Sequence, residues 1–198
     1  KWVRNVTDVE KEKTHQTNPF GAATPAADGE KVVVWHGSAG LYCYDFEGNE
    51  LWKKDLGPVG HIWGYGSSPV IHDGLVFLNY GPGEAQFLVA VKLADGEVAW
   101  KVDEPGGNNA RQGKMTGSWS TPVIVKRGAE TQLVCSMPTR VVGVDPKTGD
   151  LIWECQGLVG RNGNLVYTSP VVAGEIVICL GGYTGPGVAV KLGGTGDV

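Results

Sequence analysis

The sequence lacks most of the features that assign a chain to a class at a glance. No stretch approaches the roughly 18–20 consecutive apolar residues of a membrane span. No segment carries a sustained 3.6-residue apolar period, so almost no helix is expected. The 17 Lys and Arg and 21 Asp and Glu are scattered, for a net charge of −4. Without a block of one sign, nothing in the sequence supports a nucleic-acid surface or a patch for an anionic membrane. Cysteines are few, and none of Cys43, Cys135, Cys155 and Cys179 forms a Cys-x-x-Cys pair. That removes the spacing of a structural zinc site. Each lies in or beside an apolar stretch and reads as a buried thiol; whether any two are bridged is not fixed by the sequence. The chain opens on Lys1 rather than Met, inside the strand-like Lys1–Arg4, and reads as a fragment or a processed segment.

What is abundant is glycine, 31 of 198 residues, with 11 prolines and no collagen-like period. That composition gives many turns and hence many short strands. With 41% hydrophobic and 19% charged residues, the chain has enough apolar material for a core.

One unit recurs. Residues 143–153, Gly-Val-Asp-Pro-Lys-Thr-Gly-Asp-Leu-Ile-Trp, read as strand, tight turn, strand. Asp145 can bond backbone two residues on, Pro146 presets φ, and Gly149 accepts positive φ. Residues 44–52 are a shortened copy, residues 90–100 another, and residues 189–198 a fourth without its tryptophan. Trp52, Trp100 and Trp153 are 48 and 53 residues apart, and Trp2 lies 50 before Trp52. Each unit also opens on a hydroxyl-Pro pair: Thr24-Pro25, Ser68-Pro69, Thr121-Pro122 and Ser169-Pro170, at intervals of 44, 53 and 48. Four antiparallel strands per repeat of this length is a β-propeller blade. The expected fold is all-β, a single propeller segment over 1–198. Its blades lie at about 24–54, 68–102, 121–155 and 169–198, the last lacking its Trp strand, with an orphan Trp strand at 1–4.

In such a blade the first-to-second and third-to-fourth turns share one face, and the blade-to-blade connections share the other. The first class is short throughout. The connections are long: Asn5–Ala23, Leu56–Ser67, Asp103–Ser120 and Gln156–Thr168. Long loops on rigid sheets are where binding concentrates. They carry the candidate ligand residues His15, Asn18, His61, Trp63, Tyr65, Arg111, Lys114 and Arg161, together with Asn164. Propeller topology gathers these around one mouth of the central channel.

With the Asp-x-x-Thr-Gly-x-x-x-Trp unit in view, the chain resembles the PQQ-type, quinoprotein-like β-propeller repeat family over essentially its whole length. Residues 143–153 fit closely, and residues 90–100 carry Asp95 where Thr is usual. The resemblance implies that Trp2, Trp52, Trp100 and Trp153 tie neighbouring blades together, with Asp145, Thr148 and Gly149 forming the turn that receives a ring. A large ring with one N–H suits such a contact. Propellers of this family have seven or eight blades, so four sets of strands look like half. Lys1–Arg4 is then expected to complete the blade of residues 169–192, within one chain as a four-bladed ring or across two as a homodimeric eight-bladed ring; a piece of a longer chain is the alternative.

Quinoprotein dehydrogenases of the family hold PQQ over calcium beside a vicinal disulfide. This chain has no Cys-Cys pair and no evident Glu/Asn/Asp calcium set in its long loops beyond Asp103 and Glu104. No cofactor is therefore expected, and an oxidoreductase or metal-dependent enzyme is the alternative reading. His15 and His61 sit on neighbouring loops but read better as loop hydrogen-bonders than as metal ligands. Gly117-Ser118-Trp119-Ser120 lacks the second glycine of a nucleophile elbow. The family's outer-membrane assembly lipoprotein is a protein-docking scaffold, and Trp63, Tyr65, Trp119, Arg111 and Arg161 are residue types enriched at binding hot spots. The expectation is a non-catalytic, periplasmic or extracellular scaffold that binds a protein or a small ligand on its long-loop face.

Overall fold

The computed structural model of the chain describes residues 1–7, 11–18, 20–104, 116–161, 163–182 and 184–198. It is all-β. Sheet one is β1 (Ala26–Ala27), β2 (Lys31–Trp35), β3 (Leu41–Asp45) and β4 (Glu50–Lys54), paired in chain order. Sheet two is β5 (Val70–His72), β6 (Leu75–Tyr80), β7 (Phe87–Lys92) and β8 (Val98–Asp103). Two further strands lie in the long connections, β9 (Thr116–Ser118) and β14 (Asn164–Val166), and they pair in parallel. Sheet three is β10 (Val123–Arg127), β11 (Glu130–Ser136), β12 (Arg140–Val144) and β13 (Leu151–Gln156). Sheet four has three strands, β15 (Val171–Ala173), β16 (Ile176–Leu180) and β17 (Gly187–Lys191). The only helical turn among the described residues is 3-10, Gly37–Ala39. No helix of these residues is long and apolar enough to cross a membrane.

The cores lie between sheets. One cluster joins Val33, Trp35, Leu41 and Cys43 of sheet one to Val76, Leu78, Val89 and Val91 of sheet two. A second joins Phe77 and Ala90 of sheet two to Leu133, Cys135 and Val142 of sheet three. A third joins Val134 and Val141 of sheet three to Val177, Cys179 and Val190 of sheet four. Sheets two and three thus bury one face against the sheet before and the other against the sheet after, while sheets one and four each meet a single neighbour. That is why the central strands are apolar without strict alternation.

The recurring tryptophan follows from a recurring irregularity. The register shifts between Cys43 and Tyr44, between Ala90 and Val91, and between Gly143 and Val144. The residue just before each shift faces the tryptophan of the next strand: Cys43 faces Trp52, Ala90 faces Trp100 and Gly143 faces Trp153. A bulge there twists the outer strand and re-aims the ring beyond the sheet's edge. The Trp52 indole N–H donates to Leu93 O at 3.0 Å, and its ring covers Gly96. Trp100 donates to Pro146 O at 2.9 Å and covers Gly149. Trp2 donates to Phe46 O at 2.9 Å and covers Gly48. All three glycines have positive φ, and a Cβ on any of them would lie under 3 Å from the ring. Within the receiving turn, Asp145 Oδ1 accepts the Lys147 N–H at 2.7 Å, and Thr148 Oγ1 donates to Asp150 at 2.7 Å.

Trp153 departs from the pattern expected of it. It is buried and packs among sheet-four residues, but its indole donates at 2.8 Å to Gln132 Oε1 of its own sheet. The reason is the cross-strand neighbour. Gly143 stands where the other sheets have Cys43 or Ala90, and the Trp153 indole occupies the space of the missing Cβ. The C-terminal segment also differs. Instead of extending sheet four, β18 (Gly196–Asp197) pairs in parallel with β13. Residues 1–4, expected as a strand closing sheet four, carry no strand, and Trp2 lies against Tyr44 of sheet one.

Candidate functional site

The long connections are held together by a stair of hydrogen bonds. Asn18 donates through Nδ2 to the carbonyls of Trp63 and Tyr65. The Trp119 indole donates to Gly64 O at 3.0 Å, and its backbone N–H to Val166 O at 2.9 Å. The hydroxyl-Pro pairs form a second stair. The Thr24 N–H meets Ser68 Oγ at 2.9 Å, the Ser68 N–H meets Thr121 Oγ1 at 3.0 Å, and the Thr121 N–H meets Ser169 Oγ at 3.1 Å. Each step links one blade's opening strand to the next. This fixes the position three residues before each proline: Ala22, Gly66, Trp119 and Tyr167. All four line one recess of about 740 Å³, with Trp63, Asn18, Thr17 and His15.

The recess has an aromatic side. Trp63 and Trp119 have ring centroids 6.2 Å apart, and Trp119 and Tyr167 5.4 Å. His61 is buried beneath them, edge-on to Trp119 at 5.0 Å and 5.5 Å from Trp63. Burial pulls the His61 imidazole below its ordinary pKa, so it is neutral at pH 7. Its Nδ1 accepts the Trp63 N–H at 3.2 Å. Below Trp119 lies a buried polar brace. Asn79 Nδ2 donates to Ser118 Oγ and Ser120 O, each at 2.9 Å, and Ser118 Oγ donates to Ser136 O at 2.6 Å. The brace sews sheet two to sheet three and sets the height of Trp119.

Of the residues expected at the mouth, His15, Asn18 and Trp63 line this recess, and His61 supports it. His15 is exposed, with Nδ1 2.7 Å from Thr17 Oγ1. Tyr65 turns the other way. It is buried against Trp35 with centroids 4.7 Å apart, and its hydroxyl accepts the Gly21 N–H at 3.3 Å. Burial raises its phenol pKa. Arg161 is exposed and does not line the recess. Arg111 and Lys114 lie outside the described residues. Ala22, Gly66 and Tyr167 were not singled out by sequence; their signal is the constant offset from the hydroxyl-Pro pair. Among the described residues no group of three His, Cys, Asp or Glu stands ready for a metal. All four cysteines are free thiols, and burial raises Cys43 to about 11, which leaves it unreactive.

A second polar cluster binds sheet two to sheet three. Arg140 lies between Glu104, at 2.9 Å, and Glu154, at 2.8 Å. The Glu104 side chain is 4% exposed, and burial drives its pKa up to about 7 against the pull of Arg140.

Antiparallel sheets of three or four strands set side by side, cores between sheets and loops converging on one recess define a partial β-propeller. More particularly, the chain belongs to the family described as outer membrane protein assembly factor BamB, whose model matches residues 3–196. Among solved structures it is similar to BamB from Moraxella catarrhalis, with TM-score 0.63 and 17% identity over 84% of this chain and 47% of that one. It is similar to the quinohemoprotein alcohol dehydrogenase of Comamonas testosteroni, with TM-score 0.53 and 16% identity over 78% of this chain and 31% of that one. It is also similar to the computationally designed Ika4 protein, with TM-score 0.53 and 16% identity over 94% of this chain and 100% of that one. The chain spans about half the length of the Moraxella protein. A comparison with curated proteins finds no match.

Proposed function

We propose that the chain is a non-catalytic binding scaffold, periplasmic or extracellular, that captures a protein segment or small ligand in the recess at its long-loop mouth. One observation carries this: four repeat-equivalent positions and the Trp63 loop converge on a single concavity with an aromatic side. Its volume falls in the range of ligand pockets, about 300–1,000 Å³. The family description, an outer-membrane assembly factor, supports both compartment and scaffold role. No resident cofactor is part of the proposal.

The test is a thermal-shift screen of a small-molecule library against the wild type and Trp119→Ala. Hits should raise Tm in the wild type and lose that effect in the variant. Hits indifferent to Trp119 would overturn the assignment of the face. The same screen includes PQQ with calcium, and saturable binding of that pair would favour the oxidoreductase reading instead.

The assembly partner we propose is a second copy. Sheet four exposes Val171, Ile176, Ile178 and Leu180, and Trp2 lies on sheet one as Trp52 and Trp100 lie on the sheets that follow theirs. A blade from another copy would cover that apolar face and continue the hydroxyl stair beyond Ser169. Light scattering should give twice the 21.0 kDa of one chain; a monomer at micromolar concentration would refute it.

A further inference from the structure

We propose that the recess takes an uncharged oligosaccharide; this rests on the recess being a binding site at all. Its lining divides the work a sugar requires. A pyranose ring has an apolar face of C–H bonds and a rim of hydroxyls. Trp63, Trp119 and Tyr167 form an unbroken run of rings, with neighbours 6.2 and 5.4 Å apart and tilted at 45° and 48°. Such a run offers successive stacking faces, and it suits consecutive sugar units. Tyr167 is 43% exposed, so its ring is within reach of a ligand. Ala22 and Gly66 complete the lining, and Gly66 lies against the Trp119 ring, where it adds no side chain to crowd that face.

Among the described residues, the polar groups that line the recess are neutral hydrogen-bonding types. Thr17, Asn18 and His15 line it, and an amide, a hydroxyl and an imidazole match a hydroxyl rim in donor and acceptor character. No Asp, Glu, Lys or Arg is among the described residues that line it. Against this described lining a charged ligand would give up water without an opposite charge in return, which costs more than a hydrogen-bonded neutral group. Asn18 Nδ2 and His15 Nδ1 already have partners, so what a wholly apolar ligand would strip of water is Asn18 Oδ1 and the far ring nitrogen of His15. The rings are also pre-placed: Trp119 by its bond to Gly64 O, the Trp63 loop by Asn18, and both from below by His61. Rigid aromatic faces lower the ordering cost of binding a flexible glycan.

The experiment is isothermal titration of the wild-type chain with hexamers of β-1,4-glucose, α-1,4-glucose and β-1,4-N-acetylglucosamine. Oligogalacturonate and tetramethylammonium serve as charged comparators. At least one neutral hexamer should bind with quenching of tryptophan fluorescence. It should bind about tenfold or more tighter than either comparator, and about tenfold or more weaker to Tyr167→Ala or Trp119→Ala. Tyr167→Ala changes an exposed ring and keeps the test valid if Trp119→Ala is unstable. Silence of all neutral hexamers at millimolar concentration, or tighter binding of a comparator, overturns the sugar assignment. If library hits still depend on Trp119 while the hexamers are silent, only the ligand class falls. If both are silent, the binding face falls with it.

Discussion

Removing the Trp100 ring measures how strongly one blade holds the next. The ring is 8% exposed, lies 5.9 Å from Phe77, covers Gly149, and donates to Pro146 O at 2.9 Å. Trp100→Ala deletes a buried aromatic between two sheets, at a cost of about 3–5 kcal/mol. Against a total stability of about 5–15 kcal/mol this is a large share. With a urea m-value of about 2–3 kcal/mol/M the midpoint should fall by about 1–2.5 M. Gly149→Ala attacks the same contact from the other side. Its backbone has φ +79°, and the added Cβ would stand 2.8 Å from the ring. Strain and displacement together cost about 2–4 kcal/mol. The two changes share one contact and are therefore not additive. In the double variant Gly149→Ala should cost at least about 1 kcal/mol less than it does alone. Urea unfolding followed by circular dichroism reads all four proteins. A Trp100→Ala cost below about 1 kcal/mol, or strict additivity, would refute the inter-blade role.

Three further outcomes follow from the same packing. Gly143→Ala puts a Cβ 2.3 Å from the Trp153 indole and should cost about 1–3 kcal/mol in urea unfolding, with a shift in tryptophan emission. Asn79→Ala strips the buried brace under Trp119 and should cost about 1–3 kcal/mol while weakening capture in the recess; unchanged stability would contradict the brace. Glu104 has a folded pKa of about 7 against 4.5, so the folded state holds its proton more tightly. Its contribution is present below about pH 4.5 and is lost as pH rises towards 7, a change on the order of 3 kcal/mol. Glu104→Gln should remove that downward slope, measured as the difference in unfolding free energy between pH 5 and pH 8.

The propeller fold was legible because its signals are local and repeated. An Asp/Gly turn, a bulge and a tryptophan recur at blade spacing, and each hydroxyl-Pro pair marks an opening strand. The long-loop mouth was legible as a place, because loop length separates the two faces. Its composition was legible only in part. Tyr65 and Trp63 are two residues apart on one loop, and which of them faces the recess is decided by Trp35 packing against Tyr65. The β9–β14 pair joins segments about 48 residues apart, and three-residue strands carry no period to announce them. Trp153 keeps the repeat spacing yet takes a different acceptor, and the signal was the single missing Cβ at Gly143.

A ligand held in the aromatic recess must be felt first by the tryptophans that line it. The most direct measurement is the fluorine NMR spectrum of protein carrying 5-fluorotryptophan at its seven tryptophans, titrated with the bound hexamer or, failing that, the strongest library hit. The Trp63 and Trp119 resonances should move together and saturably, while those of Trp52, Trp100 and Trp153, buried between sheets, stay in place. Movement confined to the between-sheet tryptophans or to Trp2, with Trp63 and Trp119 unmoved, would contradict binding in the recess.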